Sequence, residues 1–194
     1  TPFTTQLRCN MADRWPPAYD SHTLQEQINR LREQKGFSET FYCQNELPFF
    51  CQGDIIRFAT DFPFIDADGE ISFIPNPDNL WLFAGNTCDF SKKTGDFKYT
   101  HICPVEKVPE HTAEELQNGF YSYSTYKRFY LPVWQRTDTG RGYFIDFTQM
   151  CSVERDGLSR HAQLEARMSR KSWFLFHSCL VRYLARDDGR HDPG

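Results

Sequence analysis

The chain lacks a long apolar run, a surplus of positive charge and any close pairing of cysteines, and each absence removes a class of function. No stretch of its 194 residues approaches the ~20 apolar residues that a membrane-spanning helix needs. The beginning does not have the charged-then-apolar pattern of a secretion signal. A soluble, cytoplasmic protein with no membrane association is therefore expected. Lys and Arg number 22 against 26 Asp and Glu, a formal net charge of −4. A broad nucleic-acid surface needs a concentrated positive field, so only a local basic groove remains open. The seven cysteines (Cys9, Cys43, Cys51, Cys88, Cys103, Cys151 and Cys179) are scattered. They have neither a disulfide framework nor CxxC spacing, which points to reduced thiols, no metal site and no cofactor.

What is present is aromatic bulk: 18 Phe, 9 Tyr and 4 Trp, enough to build a core where aliphatic residues are sparse. The length suits one domain. Residues 1–20 read as an extended leader, because no periodic pattern precedes Met11 and Met11-Ala12-Asp13-Arg14-Trp15 resembles a natural start. The domain proper is expected over 21–186, with a fraying tail over 187–194.

Leu24, Ile28 and Leu31 fall at helical spacing, with Thr23 and Glu26 as a capping box and Gly36 as the stop. After Gly36 the pattern changes to short aromatic and β-branched runs separated by Gly, Pro, Asn and Asp. Strands are predicted over 39–43, 54–60, 70–74, 80–84, 97–103, 126–133 and 143–147. Asp66-Ala67-Asp68-Gly69 between apolar runs predicts a hairpin turn. A short helix is predicted over 112–116, opened by Thr112. A long one is predicted over 159–185, with Trp173, Phe176, Leu180 and Leu184 on one face and Arg167, Arg170, Lys171, Arg182 and Arg186 elsewhere. The fold class is thus mainly β with flanking helices.

Three strings stand in a telling order: Gly53-Asp54-Ile55-Ile56, then Leu80-Trp81-Leu82-Phe83 leading into Asn86-Thr87-Cys88-Asp89-Phe90, then Ile102-Cys103-Pro104-Val105. Together they resemble the PemK/MazF-like (CcdB-type) SH3-like barrels of bacterial toxin–antitoxin systems, over about residues 52–105. The resemblance implies a curved antiparallel barrel with an N-terminal helix and a long C-terminal helix. It also implies an origin among ribonucleases that use an Arg-Pro step before the second barrel strand and a hydroxyl residue after the closing Pro. Here Asn76-Pro77-Asp78-Asn79 precedes Leu80, and Glu106 stands where the hydroxyl belongs. A carboxylate there repels phosphate.

The preferred reading is accordingly a non-catalytic or weakly catalytic binding and regulatory module of a bacterial defence or stress system. It would engage an antitoxin, a sigma factor or a defence-complex subunit through the barrel groove. Trp81, Asn86, Thr87, Cys88, Asp89, Trp173, Leu180 and Leu184 are the candidate partner contacts, and a homodimer is a further option. The alternative is a MazF-like endoribonuclease with a rearranged site, in which Arg57, Thr87 and Lys98 clamp phosphate and position the ribose. Lys92, Lys93 and Lys98 with Phe97 and Tyr99 suit single-stranded RNA by charge and stacking, or simply a solvated hairpin tip. Cys88 with His101 is a weak nucleophile pair, because Asp89 raises the thiol pKa by like-charge repulsion. His101 and Cys103 lack the spacing of a zinc site.

Overall fold

The computed structural model describes residues 21–34, 36–37, 39–45, 47–91, 97–109, 114–134 and 140–184. The expected leader with Cys9, the Thr94-Gly95 turn with Lys92 and Lys93, the helix opening at Thr112, Arg186 and the 187–194 tail lie outside these residues.

In chain order come α1 (Ser21–Glu33), β1 (Tyr42–Cys43), β2 (Ile55–Arg57), β3 (Phe62–Ile65), β4 (Ile71–Ile74), β5 (Leu80–Phe83) and α2 (Thr87–Ser91). There follow β6 (Tyr99–Lys107), α3 (Glu114–Tyr121), β7 (Arg128–Leu131), β8 (Tyr143–Asp146), β9 (Cys151–Glu154), α4 (Arg155–His161), β10 (Gln163–Met168) and α5 (Arg170–Leu184). Eight strands form one curled antiparallel half-barrel sheet in the order β1-β10-β2-β5-β6-β8-β7, with β9 also paired to β6, while β3 and β4 form a separate arm. The architecture is mixed α and β, and no described helix is long and apolar enough to cross a membrane.

The three segments 54–60, 80–84 and 97–103 meet at the centre of this sheet as β2, β5 and β6, in the register Ile56 to Trp81 to Pro104. Leu80-Trp81-Leu82-Phe83 is continuous and apolar because β5 is buried on both faces. Leu80 and Leu82 join Ile55, Phe129, Leu175 and Phe176 on the side covered by α1 and α5. Trp81 and Phe83 join Ile56, Ile102 and Leu158 on the other side. Along its second edge β6 pairs with β9 over Tyr99–Ile102 and with β8 over Val105–Lys107. Cys103-Pro104 sits between the two partners, where the missing proline N–H breaks no ladder bond on that edge.

The long helix predicted over 159–185 is corrected. Helix α4 closes with the Ala162 N–H on the Leu158 carbonyl, β10 follows, and α5 begins only at Arg170. Gln, Leu, Glu, Ala, Arg and Met are all good helix formers. Here pairing with both β1 and β2 overrides that preference. A bulge at Glu165 lets the strand serve both partners. Strands β9 and β10 have no counterpart in the sequence reading. Helix α1 starts at Ser21, so Thr23 lies inside it and is not its cap. The polar loop expected after β5 is the short helix α2, with Asn86 Oδ1 accepting from the Cys88 N–H.

The arm turns where Asp66 and Gly69 predicted. Asp66 N–H donates to the Glu70 carbonyl at 3.0 Å, and Gly69 adopts φ +82°, a conformation that costs glycine little. The Asp66 carboxylate accepts from the Asp68 and Glu70 N–H groups and the Ser72 hydroxyl. These bonds, the one at Glu70 foremost, hold its pKa below the ordinary value.

Candidate binding groove

A cavity of about 420 Å³ opens where the arm leaves the sheet, lined by Phe62 and Ile74 of the arm, residues 75–78 of the connection to β5, residues 104–107 of β6, and Gln149. The connection is rigid for identifiable reasons. Asn76 Nδ2 donates to the Leu80 carbonyl at 3.0 Å, and the Asn79 N–H donates to the Asn76 carbonyl at 3.0 Å. Asn79 takes a left-handed φ of +51°, which asparagine tolerates better than most residues. Arg57 at the end of β2 pins the same connection from behind, donating to the Asp78 carbonyl at 2.9 Å while pairing with Glu165 of the β10 bulge.

Asn76, Pro77, Asp78 and Glu106, positions at which the sequence differs from the barrels it resembles, thus line one cavity. Pro75, Pro77, Pro104 and Val105 supply an apolar surface, and among the described residues the ionisable lining consists of Asp78, Glu106 and Lys107. Lys107 Nζ lies 3.6 Å from Asp78 Oδ1. The groove therefore carries one net negative charge, that of Glu106. It offers apolar contact with a carboxylate rim, and among the described residues no unpaired cation for a phosphate.

The residues proposed for RNA chemistry are each engaged elsewhere. Arg57 is held by Glu165 and Asp78, Thr87 Oγ1 accepts from the Gln52 N–H at 2.8 Å, and Lys98 lies 5.4 Å from the Tyr99 ring centre. No partner is shared among the three. Among the candidate partner contacts, Trp81 is corrected to a core residue. It has no exposed surface, and its indole N–H donates to the Phe58 carbonyl at 2.8 Å. Leu180 is also buried, whereas Leu184 is 64% exposed.

The remaining contacts gather around a residue that the sequence reading passed over. Gln52 donates from Nε2 to the Ala84 carbonyl, and its Oε1 accepts from the Trp173 indole at 3.1 Å and meets His177 Nδ1 at 3.2 Å. An amide oxygen only accepts, so Nδ1 carries the proton and Nε2 is the free acceptor of a neutral ring. Desolvation lowers the His177 pKa from its ordinary value and favours this form. Gln52 so ties the Asn86–Asp89 segment to α5. Arg155 also donates to the Asp89 carbonyl.

Beneath this hub, Asp54 and Arg167 form a buried ion pair. Arg167 Nε and Nη2 fork onto the Asp54 carboxylate at 3.0 and 2.8 Å, and its other N–H groups reach the Asn45 and Phe49 carbonyls. Burial pushes the Asp54 carboxyl up, opposed by Arg167 and the Cys51 N–H. The guanidinium cannot give up its proton, and its fixed charge favours the Asp54 carboxylate against that burial. No spacing rule links Gln52 or Asp54 to residues more than a hundred positions away; the pairing of β10 with β2 brings Arg167 to Asp54, and α5 after β10 brings Trp173 and His177 to Gln52.

The six described cysteines are free thiols. Burial raises Cys103, takes Cys151 to about 11 and takes Cys179 to about 12. Those three are thus poor nucleophiles. Among the described residues no group of three His, Cys, Asp or Glu side chains is placed to hold a metal. No family model, curated protein or solved structure matches the chain.

Proposed function

We propose that the chain is a non-catalytic or weakly catalytic binding module of a bacterial defence or stress system, with its half-barrel an SH3-like barrel of the PemK/MazF type. Its groove holds an extended segment of a protein partner, such as an antitoxin, a sigma factor or a defence-complex subunit. The observation that carries this reading is the cavity beside β6, whose apolar walls are rimmed by Asp78 and Glu106 and whose lysine already faces a carboxylate. Removing one charge-stabilising donor from a site of acyl or phosphoryl transfer commonly costs about 10²–10³-fold in rate. Among the described residues, this groove's lining has neither the arginine nor the hydroxyl that the resembled toxins use.

The test is incubation of the purified protein with a long structured RNA and with a mixed-sequence oligonucleotide. No specific cleavage is expected. Cleavage abolished by Arg57→Ala, Thr87→Ala or Lys98→Ala would replace the binding module with a rearranged endoribonuclease. Partner capture is the positive arm, and Glu106→Lys should weaken it while leaving the melting temperature nearly unchanged.

A further inference from the structure

The arm is apolar on a face that no described residue covers. In an antiparallel pair, residues directly opposite share a face and successive residues alternate. Phe62 and Ile74 are opposite and line the groove, so Pro63, Ile65, Ile71 and Phe73 form the other face. Pro63 is exposed, and Ile65, Ile71 and Phe73 are 74%, 69% and 62% exposed. A two-stranded hairpin is marginal by itself, and one carrying four bare apolar residues is suited to being covered.

The hydrogen-bond phase shows which edge is open. The Asp66–Glu70 bond closes the hairpin, so Phe64–Ser72 and Phe62–Ile74 are the pairs that exchange bonds. Pro63–Phe73 and Ile65–Ile71 then turn their backbone groups outward. On the β3 edge Pro63 has no N–H to offer, whereas β4 presents both Ile71 and Phe73. Charge narrows the occupant. Between Phe58 and Asn79 stand five acids (Asp61, Asp66, Asp68, Glu70 and Asp78) and no Lys, Arg or His. A second copy would set like charge against like charge, and RNA or an anionic membrane would be repelled.

We propose that the free edge of β4 accepts a strand from the partner protein, an extended segment in which apolar residues alternate with Lys or Arg. This inference rests on the reading of the chain as a protein-binding module and names the chemistry of its partner. The apolar side chains of the added strand extend the Ile65, Ile71 and Phe73 face. Its cations meet the acids of the arm.

The probe is a capped peptide of alternating Val and Lys, titrated into the full chain and followed by amide hydrogen exchange and chemical shift. Saturable binding that slows exchange at Ile71 and Phe73 is expected, with none for a Val/Glu counterpart. Ile71→Pro should weaken it by about tenfold, the worth of one edge hydrogen bond, and the hairpin itself keeps its bonds because the Ile71 N–H points outward. Peptides N-methylated in the two alternate registers give a control that leaves the protein untouched: one should fail and the other bind.

No saturation by the Val/Lys peptide overturns the proposal, as does equal binding by both N-methylated registers. Binding lost in Glu106→Gln but intact in Ile71→Pro would retain the groove as the protein-binding site and eliminate strand addition. Dimerisation abolished by Ile71→Pro would make a second copy the occupant, and vesicle binding abolished by Phe73→Ser would make it a membrane. Either result overturns the proposal.

Discussion

Strand β2 is preceded by a buried, fully paired ion pair and followed by an arm whose outer face is apolar and exposed. At its start Asp54 is 1% exposed and Arg167 5%, and the fork between them is completed by backbone partners on both sides. A few residues past its end the chain enters the arm, where Ile65 is 74% exposed. Polar groups that are buried and fully paired fix one arrangement of the chain, because any slip leaves a charge stranded. Apolar groups left in water fix nothing internally and retain their free energy for association. The first site fixes one arrangement of the fold, and the second leaves apolar surface in water.

The largest effect should come from breaking the enclosed end. Arg167→Met leaves the Asp54 carboxylate buried with the Cys51 N–H as its remaining donor, and the expected loss is about 3–5 kcal/mol. Urea denaturation should show the midpoint fall with little change in slope. Arg167→Lys should recover only part of this, because an ammonium cannot reproduce the planar fork or reach the Asn45 and Phe49 carbonyls at once. A loss below about 1 kcal/mol would show the pair to be solvated and the contrast between the two ends to be false.

A smaller effect is expected one layer out, at Gln52. Gln52→Ala removes bonds to the Ala84 carbonyl, Trp173 and His177 in a half-buried setting, with an expected cost of about 1–3 kcal/mol in thermal unfolding. His177 adds a pH dependence. Its folded pKa lies below the ordinary 6.5, so as pH falls through 6.5 the unfolded chain takes the proton first and stability declines toward the lowered folded value. Above 6.5 the ring is neutral in both states and contributes no slope. His177→Phe should flatten this part of a melting-temperature profile measured from pH 7.5 to 5, and an unchanged slope would rule the ring out as its source.

How much of this was legible in the sequence follows from how local each signal is. The Asp66–Gly69 turn and the continuous apolar run of β5 carry their reasons within a few residues, and both appear where expected. Residues 163–168 carry the opposite reason locally, since every one favours a helix, yet they pair as β10. That strand delivers Arg167 to Asp54 and Glu165 to Arg57, so a sequence read as helix there contains neither ion pair. Trp81 is a candidate contact by its place in the string before Asn86, but an aromatic residue suits interfaces and cores alike, and here burial puts it in the core. The groove was half legible: both departures from the toxin pattern stood out in sequence, but their meeting in one cavity depends on the register of Trp81 with Pro104.

The smallest effect on stability should come from the open end. In Phe73→Thr the lost side chain is 62% exposed and its cross-strand neighbour is Pro63, so little apolar area returns to water on truncation. Threonine keeps the β-branched preference for an extended backbone. The change in unfolding free energy is therefore expected within about 0.5 kcal/mol, the range of surface substitutions. The same substitution at Phe83, which has no exposed surface, removes a packed ring and should cost about 3–5 kcal/mol. Both variants are read by the same thermal and urea curves, so the ratio of their effects measures how differently the two regions are built. A Phe73→Thr cost near that of Phe83→Thr would mean that the outer face of the arm is already packed against part of this chain. The face would then be part of the core, with no surface left for a partner strand.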